Sequence, residues 1–192
     1  MMRAMVRAMT GRILRRCIIW CAVMLLWSGS GANAADLNIA AFQGVWRGNA
    51  VSESDISVNF QLTSRDIDVT VRSDSSGGFT IVWNTVQRQK GDPNNPREKL
   101  KSTEMQFASQ RPGVWRGMSN GDPLNGAKPY AWAYLKDRSL NIITLQIYAD
   151  GRHETQIYRR TLSGTGMALE FARNVDGEQV RQASGRLIKV AK

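Results

Sequence analysis

From residue 55 onward, apolar and polar side chains alternate one for one. In residues 55–63, Ile56, Val58, Phe60 and Leu62 hold one parity, while Asp55, Ser57, Asn59, Gln61 and Thr63 hold the other. Successive side chains of an extended strand point to opposite faces, so this two-residue period predicts half-buried strands rather than helices. It recurs at Ile67, Val69 and Val71 against Asp66, Asp68, Thr70 and Arg72, with Ser64-Arg65 read as a hairpin corner between the two runs. It recurs again at Phe79, Ile81 and Trp83, behind the turn-forming Ser75-Ser76-Gly77-Gly78. Further strands are expected at Thr103, Met105 and Phe107, at Val114-Trp115-Arg116, and over residues 130–135, 140–148, 155–162, 167–173 and 180–190. Lys136-Asp137-Arg138, Asp150-Gly151, Ser163-Gly164-Thr165-Gly166 and Asp176-Gly177 read as their turns, the Asp-Gly pairs suiting the positive φ of tight hairpins. Residues 90–99, with Pro93 and Pro96, and residues 120–128 read as surface loops. About ten strands follow, with no helix beyond a turn near residues 37–42. Hairpins in that number leave long edges unless the sheet closes. The predicted fold is therefore all-β, an antiparallel up-and-down barrel, with a β-sandwich as the alternative.

The first 34 residues are of a different kind. Arg3, Arg7, Arg12, Arg15 and Arg16 come without an acid, an apolar run of 11 residues extends from Cys17 to Trp27, and Ala32-Asn33-Ala34 closes the segment. Charge, apolar run and small-residue site in that order predict a cleavable signal peptide over residues 1–34. A membrane-spanning helix needs about 20 apolar residues. Residues 35–192 are then one exported domain, periplasmic or secreted and not membrane-spanning after cleavage. Arg15-Arg16 resembles a twin-arginine signal, although the general secretory route suits the strong apolar run better.

Cleavage reshapes the charge. The chain holds 26 Lys and Arg against 16 Asp and Glu, and losing five arginines lowers the net charge from +10 to +5. Arg65, Arg72, Arg88, Arg116, Arg138 and Arg173 are scattered among acids, whereas a nucleic-acid binder gathers its charge into a patch. These arginines read as solubilising surface charge, and no nucleic-acid partner is expected. Both cysteines, Cys17 and Cys21, leave with the signal, so the mature domain has neither disulfide nor thiolate and stands on its core.

Gly44-Val45-Trp46-Arg47-Gly48 recurs as Gly113-Val114-Trp115-Arg116-Gly117, which suggests two related halves. The first copy, opening the mature domain, resembles the Gly-x-Trp start of calycin barrels, the lipocalins and their relatives. That resemblance implies a structural Trp46 that plugs the barrel floor and packs on an arginine of the final strands, here Arg181 or Arg186. The same residues are similar to the Gly-x-Trp-x-Gly start of nitrobindin-type haem barrels, which implies a haem-ligating histidine near the end of the last strand. Residues 180–192 contain none, and the single histidine, His153, stands beside the Asp150-Gly151-Arg152 turn. No haem or other cofactor is expected.

Nor is catalysis expected. His153, Glu154 and Thr155 are adjacent, and neighbouring strand residues face opposite ways. There is no Gly-x-Ser-x-Gly elbow, and Gly164-Thr165-Gly166 lacks the lysine of a phosphate loop. Asp66 and Asp68 fall on a polar strand face, and Asp92 with Asn94 and Asn95 lacks the glycine and terminal glutamate of a calcium loop, so no metal site is predicted. Two features remain. Tyr130, Trp132 and Tyr134 line one parity of a strand and are the predicted floor of a pocket for a small apolar or amphipathic ligand. Residues 140–148 carry Leu140, Ile142, Ile143, Leu145 and Ile147 on both faces, which predicts cover by a second copy or an envelope partner. The function read from these residues is ligand binding; the alternative is a cell-envelope structural or interaction module.

Overall fold

The structure, a computed structural model, describes residues 37–54, 62–88, 98–124, 128–164 and 166–191. The signal segment, residues 55–61 of the first alternating run, and the centre of the 90–99 loop with Asp92, Asn94 and Asn95 lie outside the described residues.

A short 3₁₀ turn, Ile39–Phe42, is capped by the Asn38 side chain, which accepts the Ala40 N–H at 3.0 Å. Ten strands follow: β1 Gly44–Ser54, β2 Leu62–Ser73, β3 Phe79–Arg88, β4 Glu98–Arg111, β5 Val114–Gly117, β6 Tyr130–Lys136, β7 Ser139–Ile147, β8 His153–Ser163, β9 Gly166–Val175 and β10 Glu178–Ala191. Each pairs antiparallel with its sequence neighbours, and β10 returns to β1, closing the barrel. Closure gives every strand a neighbour on both sides, although the short β5 covers only the Phe107–Arg111 stretch of β4. Among the described residues, no helix is long and apolar enough to cross a membrane.

The turns behave as their residues dictate. At Asp176-Gly177 both positions take positive φ, 53° and 86°, the geometry that joins two strands without splaying them. Ser64-Arg65 is not a corner. Both residues lie within β2, opposite Val51 and Ala50 of β1, and neither type supplies the backbone freedom of a tight turn. The strand runs on through them although the apolar parity changes between Leu62 and Ile67, with Arg65 on the parity of Ile67, Val69 and Val71.

The interior has two unlike ends. Where β1, β3, β5, β7 and β9 begin, Trp46, Val71, Phe79, Phe107, Trp115 and Leu187 fill the barrel, and Phe42 of the 3₁₀ turn is fully buried with them. Phe79 stacks on Phe107 at 4.8 Å and meets Trp115 edge-on at 5.4 Å, the favoured aromatic arrangements. The two copies of the repeated pentapeptide act alike here. Trp46 Nε1 donates to the Phe42 carbonyl at 2.9 Å and Trp115 Nε1 to the Gly77 carbonyl at 2.7 Å, while Arg47 and Arg116 stay outside. Gly48 lets β1 lie close to β10, since a methyl there would strike the Arg186 carbonyl. Trp46 is thus a buried plug. The cation over its ring is Lys189, Nζ 5.3 Å from the centroid, rather than Arg181 or Arg186. Lys189 stands opposite Trp46 in the β1–β10 register, whereas Arg186 is exposed and Arg181 belongs to the far end.

Candidate functional site

At that far end the side chains no longer fill the barrel. The inward parity of β8 runs Glu154, Gln156, Tyr158, Arg160 and Leu162, from the mouth toward the apolar plug. Two cavities flank this row. One, of about 400 Å³, lies over Arg65, Trp83, Arg160, Phe171 and Arg181. The other, of about 370 Å³, reaches Met105, Asn120, Ala131 and Thr144. Trp83, Thr103, Gln156 and Tyr158 line both, so the two are lobes of one hollow. Asn120 shapes the second lobe: its side-chain amide exchanges two hydrogen bonds with Ala131, 2.7 and 2.9 Å, and extends the short β5 as a substitute strand residue.

The wall between the lobes is a hydrogen-bonded row. Tyr158 Oη donates to Gln156 Oε1, and Gln156 Nε2 donates to Glu154 Oε1, each at 2.5 Å. The other Glu154 oxygen accepts from Tyr148 Oη at 3.0 Å and from Arg173 Nη2 at 2.6 Å. Burial pushes the Glu154 carboxyl up, but the hydrogen bonds from Arg173, Gln156 and Tyr148 outweigh it and hold its pKa below the ordinary value. Glu154 is therefore ionised at neutral pH. Burial raises the Tyr158 hydroxyl to about 12, which keeps it a neutral donor.

Aromatic faces line the hollow. The rings of Trp83 and Tyr158 lie 4.9 Å apart, as do those of Tyr158 and Phe171. Beneath them Arg160 is 1% exposed, its guanidinium carbon 5.0 Å from the Trp83 centroid and 5.8 Å from that of Tyr158. Cation–π attraction holds the guanidinium plane in such a position. Burial lowers the Arg160 pKa to about 10, which still leaves the group charged at neutral pH.

Several residues differ in position from what the sequence suggested. Ala131 and Ala133 are the buried residues of β6, so Tyr130, Trp132 and Tyr134 stand half-buried on the opposite, outer face and line neither lobe. The small side chains turn inward because Ala133 sits opposite Trp115 and Ile142, which occupy the space. Outside, Trp132 pairs with Ile143, Tyr130 pairs with Leu145, and the Arg116 guanidinium lies 5.5 Å from the Tyr130 ring. Arg65 and Arg173, read as solubilising charges, face the hollow instead. Their signal was parity: each shares an inward strand face with core residues. His153 is exposed, 3.4 Å from Asp176, and Asp68 pairs on the outer surface with Arg47 at 3.3 Å. Among the described residues, no group of three or more His, Cys, Asp or Glu side chains could hold a metal.

Fold and hollow together define a closed, ten-stranded antiparallel barrel that is filled at one end and open at the other. No protein-family profile and no curated protein matches the sequence. Among solved structures, the chain is similar to a protein of unknown function from the DUF3598 family of Nostoc punctiforme, at 14% identity and a TM-score of 0.51. That match covers 80% of this chain and 49% of the other, so the chain spans about half the length of the Nostoc protein. It is also similar to Rv2717c from M. tuberculosis, at 12% identity and a TM-score of 0.51, over 79% of this chain and 96% of that one. An S-type phycobiliprotein lyase, CPES from Guillardia theta, aligns over 81% and 94% of the two chains at 12% identity, with a TM-score of 0.37. At these identities, what the first two share with this chain is the fold.

Proposed function

We propose that this is an exported binding protein: residues 1–34 are removed, and the barrel, periplasmic or secreted, holds one small amphipathic molecule in its hollow half without chemically changing it. The observation that carries the reading is the hollow itself. One end of the interior is filled by interlocking side chains, whereas the other keeps about 400 Å³ open between aromatic walls and polar groups. Mostly apolar concave sites with a few placed polar groups are where proteins bind small ligands. The Gly44-Val45-Trp46 opening, similar to that of calycin barrels, supports the same reading. Export is supported by the arginines, the apolar run and Ala32-Asn33-Ala34.

Native mass spectrometry of the protein from its own cell envelope tests both parts. The expected species is residues 35–192 plus one small molecule that leaves on denaturation. Repeated isolation of empty protein would remove the binding role, and a retained N-terminus would remove cleavage. The outer stripe of Trp132, Ile143, Tyr130 and Leu145 favours a second reading, a docking face for a second copy or an envelope partner. Ile143→Asp should then break an assembly while leaving the fold intact; an unchanged assembly state would end that reading.

A further inference from the structure

The charge inside the hollow carries the binding role further, to the chemical class of the ligand, and rests on that role. Arg160 is among the most deeply buried side chains of the described barrel, yet no protein atom among the described residues accepts a hydrogen bond from its Nε or Nη1. Trp83 and Tyr158 offer ring faces, which steady the guanidinium plane but leave those two N–H groups unsatisfied. An unpaired buried charge is among the least favourable groups a protein interior can hold. Arg65 and Arg181 line the same lobe, each with a buried Nε that likewise has no partner. They stand close enough to repel: Arg65 is pulled below its ordinary pKa by burial first and by Arg181 second. Arg173 makes a fourth guanidinium on this lobe, and Glu154 is the one acid among the described residues lining it. That carboxylate is already engaged by Arg173, Gln156 and Tyr148.

We propose that the hollow is an organic-anion site. A carboxylate or similar oxyanion head is held by Arg160 at the floor, with Arg65 and Arg181 at the flank, and a flat apolar body lies along Trp83, Tyr158 and Phe171. The guanidinium fork matches two oxygens of one head group, which a single-atom anion cannot offer. The apolar walls, with Ile67, Leu169 and Ala183 among them, and the cavity volume call for a body well beyond an inorganic ion. Ligand charge would then neutralise what the fold leaves unpaired.

Two fluorescent probes of nearly the same shape separate this from the wider reading. 8-Anilinonaphthalene-1-sulfonate is anionic, and N-phenyl-1-naphthylamine is its uncharged counterpart. Titrated into the purified protein, the sulfonate should bind at least about tenfold more tightly, the usual worth of hydrogen bonds to a charged group. That preference, read as the ratio of the two probes' affinities within each variant, should collapse in Arg160→Met and in the Arg65→Gln/Arg181→Gln double variant. Ligand-free Arg160→Met should also melt above the wild type, because it removes an unpaired charge. Should Arg160→Met fail to fold, the double variant decides, since Arg65 and Arg181 are only partly buried. Equal affinity of both probes for the wild type overturns the anion site and leaves the hollow barrel standing. Binding of neither probe overturns both. A preference that survives in the double variant and in Arg160→Met overturns the assignment to these arginines.

Discussion

Two aromatic triads inside one barrel show what each half is built for. Phe79, Phe107 and Trp115 interlock at the closed end, and the one polar atom among them, Trp115 Nε1, is satisfied by the Gly77 carbonyl. Trp83, Tyr158 and Phe171 line the open half, in comparably close contact but with a buried cation against two of the rings and empty volume beside them. The first triad excludes everything and stabilises the fold. The second leaves space and a charge with no protein partner, which disfavours the empty fold and, on the proposed role, is offset when an anion fills the space. On the proposed binding role, stability and recognition occupy opposite ends of the same ten strands.

Substitutions in the two halves should therefore differ in sign as well as size. Phe107→Ala at the closed end should destabilise by about 3–5 kcal/mol in urea unfolding, through lost burial and a cavity the closed barrel cannot collapse. A loss under about 1 kcal/mol would mean the plug is looser than its packing implies. Arg160→Met should move the other way, stabilising the ligand-free protein by about 1–4 kcal/mol, since replacing buried charge with apolar volume commonly does. Equal losses from both substitutions would erase the distinction between the halves. Smaller again is Glu154→Gln, which leaves Arg173 without its carboxylate; with Arg173 partly solvated, about 1–2 kcal/mol at neutral pH is expected. Because the folded Glu154 pKa lies below its ordinary 4.5, that advantage is full above pH 4.5 and fades as the pH falls through the lower folded value. Paired unfolding curves of wild type and variant should accordingly converge in acid; a constant gap would place the effect elsewhere. Least of all, Ile143→Asp on the outer face should cost about 1 kcal/mol or less, the scale of one cross-strand pair, and leave probe binding unchanged.

The fold was legible because period two encodes it without knowledge of partners. Ile67, Val69 and Val71, and then Phe79, Ile81 and Trp83, announce a strand and its core face together. Where both parities are apolar the same code is silent about direction. In residues 130–135 aromatics alternate with alanines, and only the presence of Trp115 and Ile142 across the ladder decides that the alanines go inside. The site was hidden for a related reason. Arg65, Arg160, Arg173 and Arg181 are far apart in sequence and look like surface charge until barrel closure brings their shared inward parity into one space. A charged residue on the parity of a core run, as in Arg65-Asp66-Ile67-Asp68-Val69, was the available sign. Ser64-Arg65 reads as a corner because it joins two alternating runs of opposite apolar parity, yet β2 spans both residues and keeps Arg65 on the inward face.

A crystal structure of the protein soaked in 8-anilinonaphthalene-1-sulfonate tests the division of the interior most directly. The expected density lies against Trp83 and Phe171, with sulfonate oxygens within hydrogen-bond distance of Arg160. Density confined to the outer Tyr130-Trp132-Tyr134 stripe, or ordered water alone on Arg160 with the hollow otherwise empty, would contradict the account.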